Sequence, residues 1–372
     1  ELFYPAVNRL VINNMCMLLV IGFVILTRLN MGLAIRQFII VTVSMAVAMC
    51  VPYLIRRFRE IKNFSWVYAL LGILPLGVVL ALGNTTYGSK LSYSIFGLSF
   101  QPSEFIKIIF VFFIASALYK STSLLQVAYV TAVAGIHVLI LAASRDLGGA
   151  LIFFVTYVLM VFLATKNFLY LLLGMAGGGG ASVIAYQLFR HVQERVQAWR
   201  DPWSVIDGEG YQVAQSLFSL GRGGLFGLGL FQGAPEDIPK VERDFIFSAV
   251  AEEMGLIVAL CVIMVSLSCF IMFMNISMRM RDRFYQLIAF GMGILYIFQV
   301  FLTIGGDTKF IPMTGVTLPL VSYGGSSVMA TLMMFSIIEG LYIIRQDEGA
   351  VHVKKKNRIV EGKRAEGEKE TP

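Results

Sequence analysis

Acidic and basic side chains at the ends of apolar segments are the residues of this sequence best placed to do chemistry. In KVERDFIFSAVAEEMGLIVAL, Lys240 to Leu260, the acids Glu242, Asp244, Glu252 and Glu253 stand with Lys240 and Arg243. In LSFQPSEFIKIIF, Glu104 and Lys107 are three apart, so on a helix they share a face and can pair. Arg36 and Asp146 begin two further apolar segments. A carboxylate in such a place can take a proton, and ionisable residues within a span mark a functional site by default. Each also has a structural reading. Asp244 suits a helix N-cap, a role compatible with catalysis, and Glu104–Lys107 suits an end-of-helix salt bridge. Arg36 and Asp146 suit caps or interface anchors. Glu252 and Glu253, two turns further in, read as structural groups that need partners.

The elements that must position these residues are membrane helices. Of 372 residues, 57% are hydrophobic and 14% charged, with mean hydropathy +0.76; soluble domains run about 45–50% apolar and about 25% charged. About ten apolar segments of spanning length follow one another, near 10–29, 34–55, 65–83, 104–119, 125–143, 147–164, 168–188, 246–274, 284–305 and 321–344. The expected fold class is all-α, a polytopic integral membrane protein with about ten transmembrane helices. The transmembrane domain covers 1–346, and 347–372 reads as a disordered tail of mixed charge. No cleavable signal peptide is evident, and the leading Glu1 is consistent with a missing N-terminal piece.

Lys and Arg orient the helices. Arg56, Arg57, Arg59 and Lys62 crowd one turn, Arg279, Arg281 and Arg283 another, and Arg345, Lys354, Lys355, Lys356 and Arg358 the tail. Those loops and both termini are expected to be cytoplasmic. The net charge of +7 is then a topology signal, not a nucleic-acid footprint. Arg36, Glu104, Lys107, Asp146 and Asp244 all fall near the outer surface, beside a large extracellular loop, 189–245, between the seventh and eighth spans. RHVQERVQAWRDPW within it reads as an interfacial amphipathic helix with Trp199 and Trp203 at headgroup depth. GRGGLFGLGL permits close backbone approach. Near the end, TGVTLPLVSYGGSS is broken at Pro319 and restarts at Tyr323, the pattern of a re-entrant helix that lines a cavity. The four cysteines lie in apolar stretches without a CxxC, and the three histidines show no ligand spacing.

Taken together, QPSEFIK (101–107), RDLGGALIFF (from 145), GRGGLFGLGL (221–230), RDFIFSAVAEEMGLI (from 243) and GVTLPLVSYGGSS (315–327) resemble, in order, the motifs of the SEDS family of RodA, FtsW and SpoVE proteins. Arg243 stands where that family commonly has Thr, Lys240 where it has Glu, and Arg145 replaces the proline of its PDLG stretch, so the chain resembles a divergent member. The resemblance implies a peptidoglycan glycosyltransferase of the bacterial plasma membrane. Its substrate would be lipid II, a disaccharide–peptide on undecaprenyl pyrophosphate, polymerised at the outer leaflet. It implies Asp244 as general base, with Arg36, Glu104, Lys107, Arg243, Lys240, Ser322 and Ser326 around the substrate. It also implies a divalent cation such as Mg or Mn, no organic cofactor, and a single-span class B penicillin-binding protein as partner. A lipid II flippase and a catalytically weak scaffold for that partner are the alternatives.

Overall fold

The structure is a computed structural model that describes residues 4, 6–57, 59–86, 89–95 and 98–367, with backbone alone at 59–60, 84–86, 89–95, 98–99 and 349–367. Its helices are α1 (Arg9–Leu29), α2 (Met31–Ala48), α3 (Val51–Arg57), α4 (Ser65–Leu82), α5 (Pro102–Leu118), α6 (Leu124–Ala143), α7 (Leu147–Thr165), α8 (Phe168–Leu188), α9 (Arg190–Arg200), α10 (Tyr211–Gly223), α11 (Ile246–Arg279), α12 (Arg283–Asp307) and α13 (Gly325–Gly367). A small antiparallel meander, β1 (Asn84–Thr86), β2 (Ser89–Ile95) and β3 (Leu98–Phe100), leads into α5. Among the described residues nine helices are long and apolar enough to cross a membrane, counting Met31–Arg57 as one. The remaining apolar segment of the sequence is α5, whose 17 residues span about 25 Å at 1.5 Å per residue.

Polar caps allow the short connections. Asn30 ends α1 and caps α2, accepting from Leu33 N; Asp146 caps α7 through Gly149 N, and Asp282 caps α12 through Phe284 N. α12 is the central post, buried along most of its length against α5, α7 and α11. α8 is the opposite case, with no buried residue. α13 stays helical through Gly367, where the sequence led to the expectation of disorder; its Lys, Glu, Arg and Ala are good helix formers. Residues 368–372 of that tail lie outside the described residues.

α11 is broken at Gly255, whose φ is 86° and ψ 169°. The break frees backbone groups on both sides, and the glycine run takes them. Leu228 N and Gly229 N donate to Glu252 O and Glu253 O at 2.9 and 3.0 Å, while Leu256 N and Ile257 N donate to Gly224 O and Leu225 O at 3.0 and 3.2 Å. A Cβ on Gly227 would meet the backbone of Glu253 and Gly255. Buried Glu253 pairs with Arg28 at 2.7 Å, and buried Glu252 accepts from Arg222 at 3.3 Å and Ala234 N at 3.1 Å. Glu252 thus locks the long loop to α11, and Glu253 ties α11 to α1 through Arg28, which also donates to Gly233 O of the loop, in line with their structural reading.

Gly255→Ala is expected to lower the thermal unfolding midpoint in detergent, because a left-handed φ costs an L-residue about 1–3 kcal/mol and the new Cβ meets the glycine run. Gly177→Ala, in α8 with nothing within 4 Å of its Cβ, is expected to leave the midpoint unchanged or raise it.

Candidate active site

Three helix N-termini converge on one hollow. The first turns of α5 (Gln101, Ser103, Glu104), α7 (Asp146, Gly149) and α13 (Gly324 to Ser327) line a cavity of about 290 Å³. Each N-terminus carries unpaired N–H groups and about half a positive charge. Ile152 and Phe153 of α7 make its deeper wall, and Arg243 and the 315–317 backbone close the side. The irregular 308–324 segment keeps backbone at the cavity because the Gly315 φ of 73° and Pro319 prevent a helix.

Side chains from three helices, α2, α9 and α12, hold that backbone, with Lys107 of α5 braced against one of them. Lys107 Nζ sits 2.5 Å from Glu104 Oε2 and 2.7 Å from Gln299 Oε1, and Gln299 Nε2 donates to Thr317 O at 2.9 Å. Thr303 Oγ1 donates to Val316 O at 3.0 Å. Arg195 of α9 donates to Thr314 O at 3.0 Å. Gln37 of α2 donates to Ser322 O at 3.0 Å and accepts from Gly324 N at 3.3 Å. Ser326 Oγ accepts from Gln101 N at 2.9 Å, joining α13 to α5.

The turn that carries Asp244 is stitched to the same segment. Tyr323 N donates to Glu242 O at 2.8 Å, Ser322 Oγ donates to Arg243 O at 2.6 Å, and the Arg243 guanidinium lies 5.6 Å from the Tyr323 ring centroid. Lys240 enters this turn with φ 60°. Asp244 is not the N-cap of α11: that position falls on Phe245, which makes no side-chain capping bond. The half-buried Asp244 stands behind Gly315. A Cβ placed on Gly315 would lie 3.9 Å from Asp244 Oδ2 and 3.7 Å from Arg195 Nη2, so the missing side chain leaves the carboxylate close to the cavity.

Burial pushes the Asp244 carboxyl above the usual carboxylate range, against the pull of Lys240, Arg243 and Arg195, with Glu242 adding to the rise. Burial likewise raises Asp146 to about 6, opposed by the Gly149 N–H and by Arg195 and Lys107, and assisted by Glu104. Arg195 lies between the two acids, and burial draws it below its ordinary value against their attraction.

Of the residues singled out in the sequence, Glu104, Lys107, Arg243 and Ser326 line the cavity, with Asp244 beside it. Lys240 faces Asp244 but is not on the wall. Two residues stand elsewhere. Arg36 is exposed on α2 and absent from the lining; Gln37, about 100° further round the helix, is buried and bonds the Ser322 and Gly324 backbone behind the wall. Ser322 is 1% exposed, with its hydroxyl bonded to the Arg243 carbonyl and the Leu318 N–H. Arg195, Gln37, Gln299 and Thr303 join the site without having been singled out by residue type or spacing. Arg195 had a usable signal, as an arginine of an amphipathic helix that sits close to the apolar stripe.

The model of the FtsW, RodA and SpoVE cell cycle proteins matches residues 8–346. The chain belongs to this family. The peptidoglycan glycosyltransferase RodA of Mycobacterium tuberculosis is 32% identical over 322 residues, which cover 82% of this chain and 69% of that one. The probable peptidoglycan glycosyltransferase FtsW of Tolumonas auensis is 33% identical over 316 residues, 82% and 81% of the two chains. A chain from the structure titled "Structural coordination of polymerization and crosslinking by a peptidoglycan synthase complex" superposes with TM-score 0.77 at 25% identity, covering 92% of this chain and 98% of that one. The crystal structure of Thermus thermophilus RodA shares the fold, with TM-score 0.67 at 22% identity and coverage of 91% and 97%.

The raised Asp146 carboxyl has a measurable consequence. The folded chain holds this proton more tightly than the unfolded chain does, so its contribution to stability is full below pH 3.8 and is lost as pH rises through about 6. Asp146→Asn keeps an N-capping group without that charge. Thermal unfolding of this variant is expected to match the wild type near pH 3.5 and to exceed it at pH 7.5, by roughly 2 kcal/mol.

Proposed function

We propose that this chain is a peptidoglycan glycosyltransferase, the activity its relatives are named for, and that the cavity beside Asp244 is where it polymerises lipid II. The observation that carries this reading is the pairing of a half-buried carboxylate with a hollow on which three helix N-termini, Lys107 and Arg243 converge. Such a hollow can take an anion where the Glu104 and Asp146 carboxylates that also line it are held by Lys107 and the Gly149 N–H, and a glycosyl pyrophosphate brings one next to the bond that breaks.

A sugar hydroxyl of one chain attacks the anomeric carbon of the other. Asp244 takes the hydroxyl proton, a C–O bond forms, and the bond to undecaprenyl pyrophosphate breaks with its electron pair on the departing phosphate oxygen. Lys107, Arg243 and the N–H groups that open α5, α7 and α13 stabilise that growing charge. Glu104 and Gln299 fix the ammonium of Lys107. The serine hydroxyls of the α13 start and the backbone at Gly315 are the surfaces offered to the sugar.

A divalent cation does not fit a protein-built cage here. Among the described residues no three His, Cys, Asp or Glu side chains gather, and Glu104 and Asp146 are bonded to Lys107 and the Gly149 N–H. No step is routed through a metal. The apolar deeper wall, Ile152 and Phe153, argues for a site at one membrane face over a polar path for flipping. The distribution of Lys and Arg supports a plasma-membrane protein with cytoplasmic termini and this cavity at the outer face. A single-span class B penicillin-binding protein is the partner that the synthase-complex likeness supports.

Asp244→Asn is expected to reduce polymerisation of purified lipid II about 10²–10⁴-fold in protein at least as thermally stable as the wild type near neutral pH. Because burial raises the Asp244 carboxyl, the acid limb of the wild-type rate profile should lie above the usual carboxylate range. Full activity of the Asn variant would exclude Asp244 as the base.

A further inference from the structure

Between its glycines, the run that closes on α11 carries five large apolar side chains that the fold leaves uncovered. Leu225, Phe226 and Phe231 are 59%, 82% and 69% exposed, and Leu228 and Leu230 are exposed as well. No charged residue stands between Arg222 and Glu236, and these two are paired at the same junction, with Glu252 and Arg28. A contiguous apolar surface of this kind marks a contact with lipid or protein. Phe231 adds a second observation. Its φ is 67°, a conformation that a bulky residue adopts only at a cost. Its ring meets the Arg28 guanidinium at 5.3 Å and is otherwise largely open.

Two helices place this run at the edge of a bilayer. Leu256 N and Ile257 N of α11 donate to Gly224 O and Leu225 O, so the run and this turn of α11 share a depth. From Leu256 to Arg279, where α11 ends, the helix rises about 35 Å at 1.5 Å per residue. A hydrocarbon core is about 30 Å thick. Arg279 belongs to the basic 275–283 turn at one end of the span, so Leu256 and Ile257 stand at the other. α1 gives the same depth. Its 21 residues span about 31 Å, and Arg28 in its last turn touches Phe231, Gly233 and Glu253. The surface is also continuous. Leu256, Ile257, Leu260, Met264, Leu267 and Ile271 are exposed at helical spacing, an apolar stripe that climbs α11 from mid-span to the run.

We propose that residues 225–231 are an interfacial anchor, whose apolar side chains enter the acyl-chain region of the adjacent leaflet and continue the lipid-facing stripe of α11. The occupant is phospholipid. The stripe runs unbroken from the middle of the span into the patch, and the run has no charged side chain with which to fix the register of a protein partner. The contact holds the Glu252–Glu253 junction at a set depth and does not depend on Asp244 being the base. The test uses the full chain in nanodiscs of phosphatidylcholine and phosphatidylglycerol, doped with a phosphatidylcholine that bears an aryl diazirine on an acyl chain near the glycerol. After irradiation, mass spectrometry should find adducts on 225–231 as well as on 256–271, which serve as the reference. Phe226→Gln combined with Leu228→Gln changes two exposed positions. Because an amide is costly among acyl chains, the double variant should label about fivefold less or lower on 225–231, with 256–271 within about twofold of the wild type. Adducts on 256–271 with none on 225–231 in the wild type would overturn the anchor and leave the run to a protein partner. Equal labelling of 225–231 in the wild type and the double variant would overturn it as well.

Discussion

Irregular backbone inside a membrane protein persists only where its carbonyl and N–H groups find partners, and the 308–324 segment depends on this. Trp199 bonds Lys309 O, Arg195 bonds Thr314 O, Thr303 bonds Val316 O, Gln299 bonds Thr317 O, and Ser322 bonds the Leu318 N–H. The donors come from α9, α12 and the segment itself. They hold a glycine-bearing strand of backbone as one wall of a polar cavity. Lys107 joins the same network through Gln299, so the cation that faces the cavity is placed by the bonds that shape its wall.

The electrostatics of the site follow from the same enclosure. Burial alone would leave Asp244 reluctant to ionise, but Lys240, Arg243 and Arg195 each favour its charged form. Lys240 and Arg243 are two positions at which this chain departs from the pattern it resembles. Both departures place cations beside the acid. A carboxylate held between desolvation and attraction in this way is suited to accept a proton near neutral pH.

Much of this architecture is legible in the sequence. Hydropathy locates the apolar segments to within a few residues, since each crossing needs a run of similar length. The glycine run and the break around Pro319 mark where backbone approaches backbone or a cavity, and both do so. Glu252 and Glu253 announce a buried network because isolated charge there is too costly. What remains hidden depends on rotation and on distant partners. Arg36 and Gln37 are neighbours in sequence but lie about 100° apart on α2, and only Gln37 bonds the backbone behind the wall. Ser322 sits in a cavity-lining motif yet spends its hydroxyl on backbone. Asp244 has the type of an N-cap, but that position falls on Phe245, which makes no side-chain capping bond.

The central claim is that the reacting sugar lies between the α5, α7 and α13 N-termini and Asp244. The most direct measurement is photo-crosslinking with a lipid II analogue that bears a diazirine on the sugar next to the pyrophosphate, followed by mass spectrometry of the labelled peptides. Adducts are expected on residues 240–244, 313–317 and 323–327, with loss of labelling when unmodified lipid II competes. Adducts confined to α8, or to the 56–64 and 275–283 turns, would contradict it.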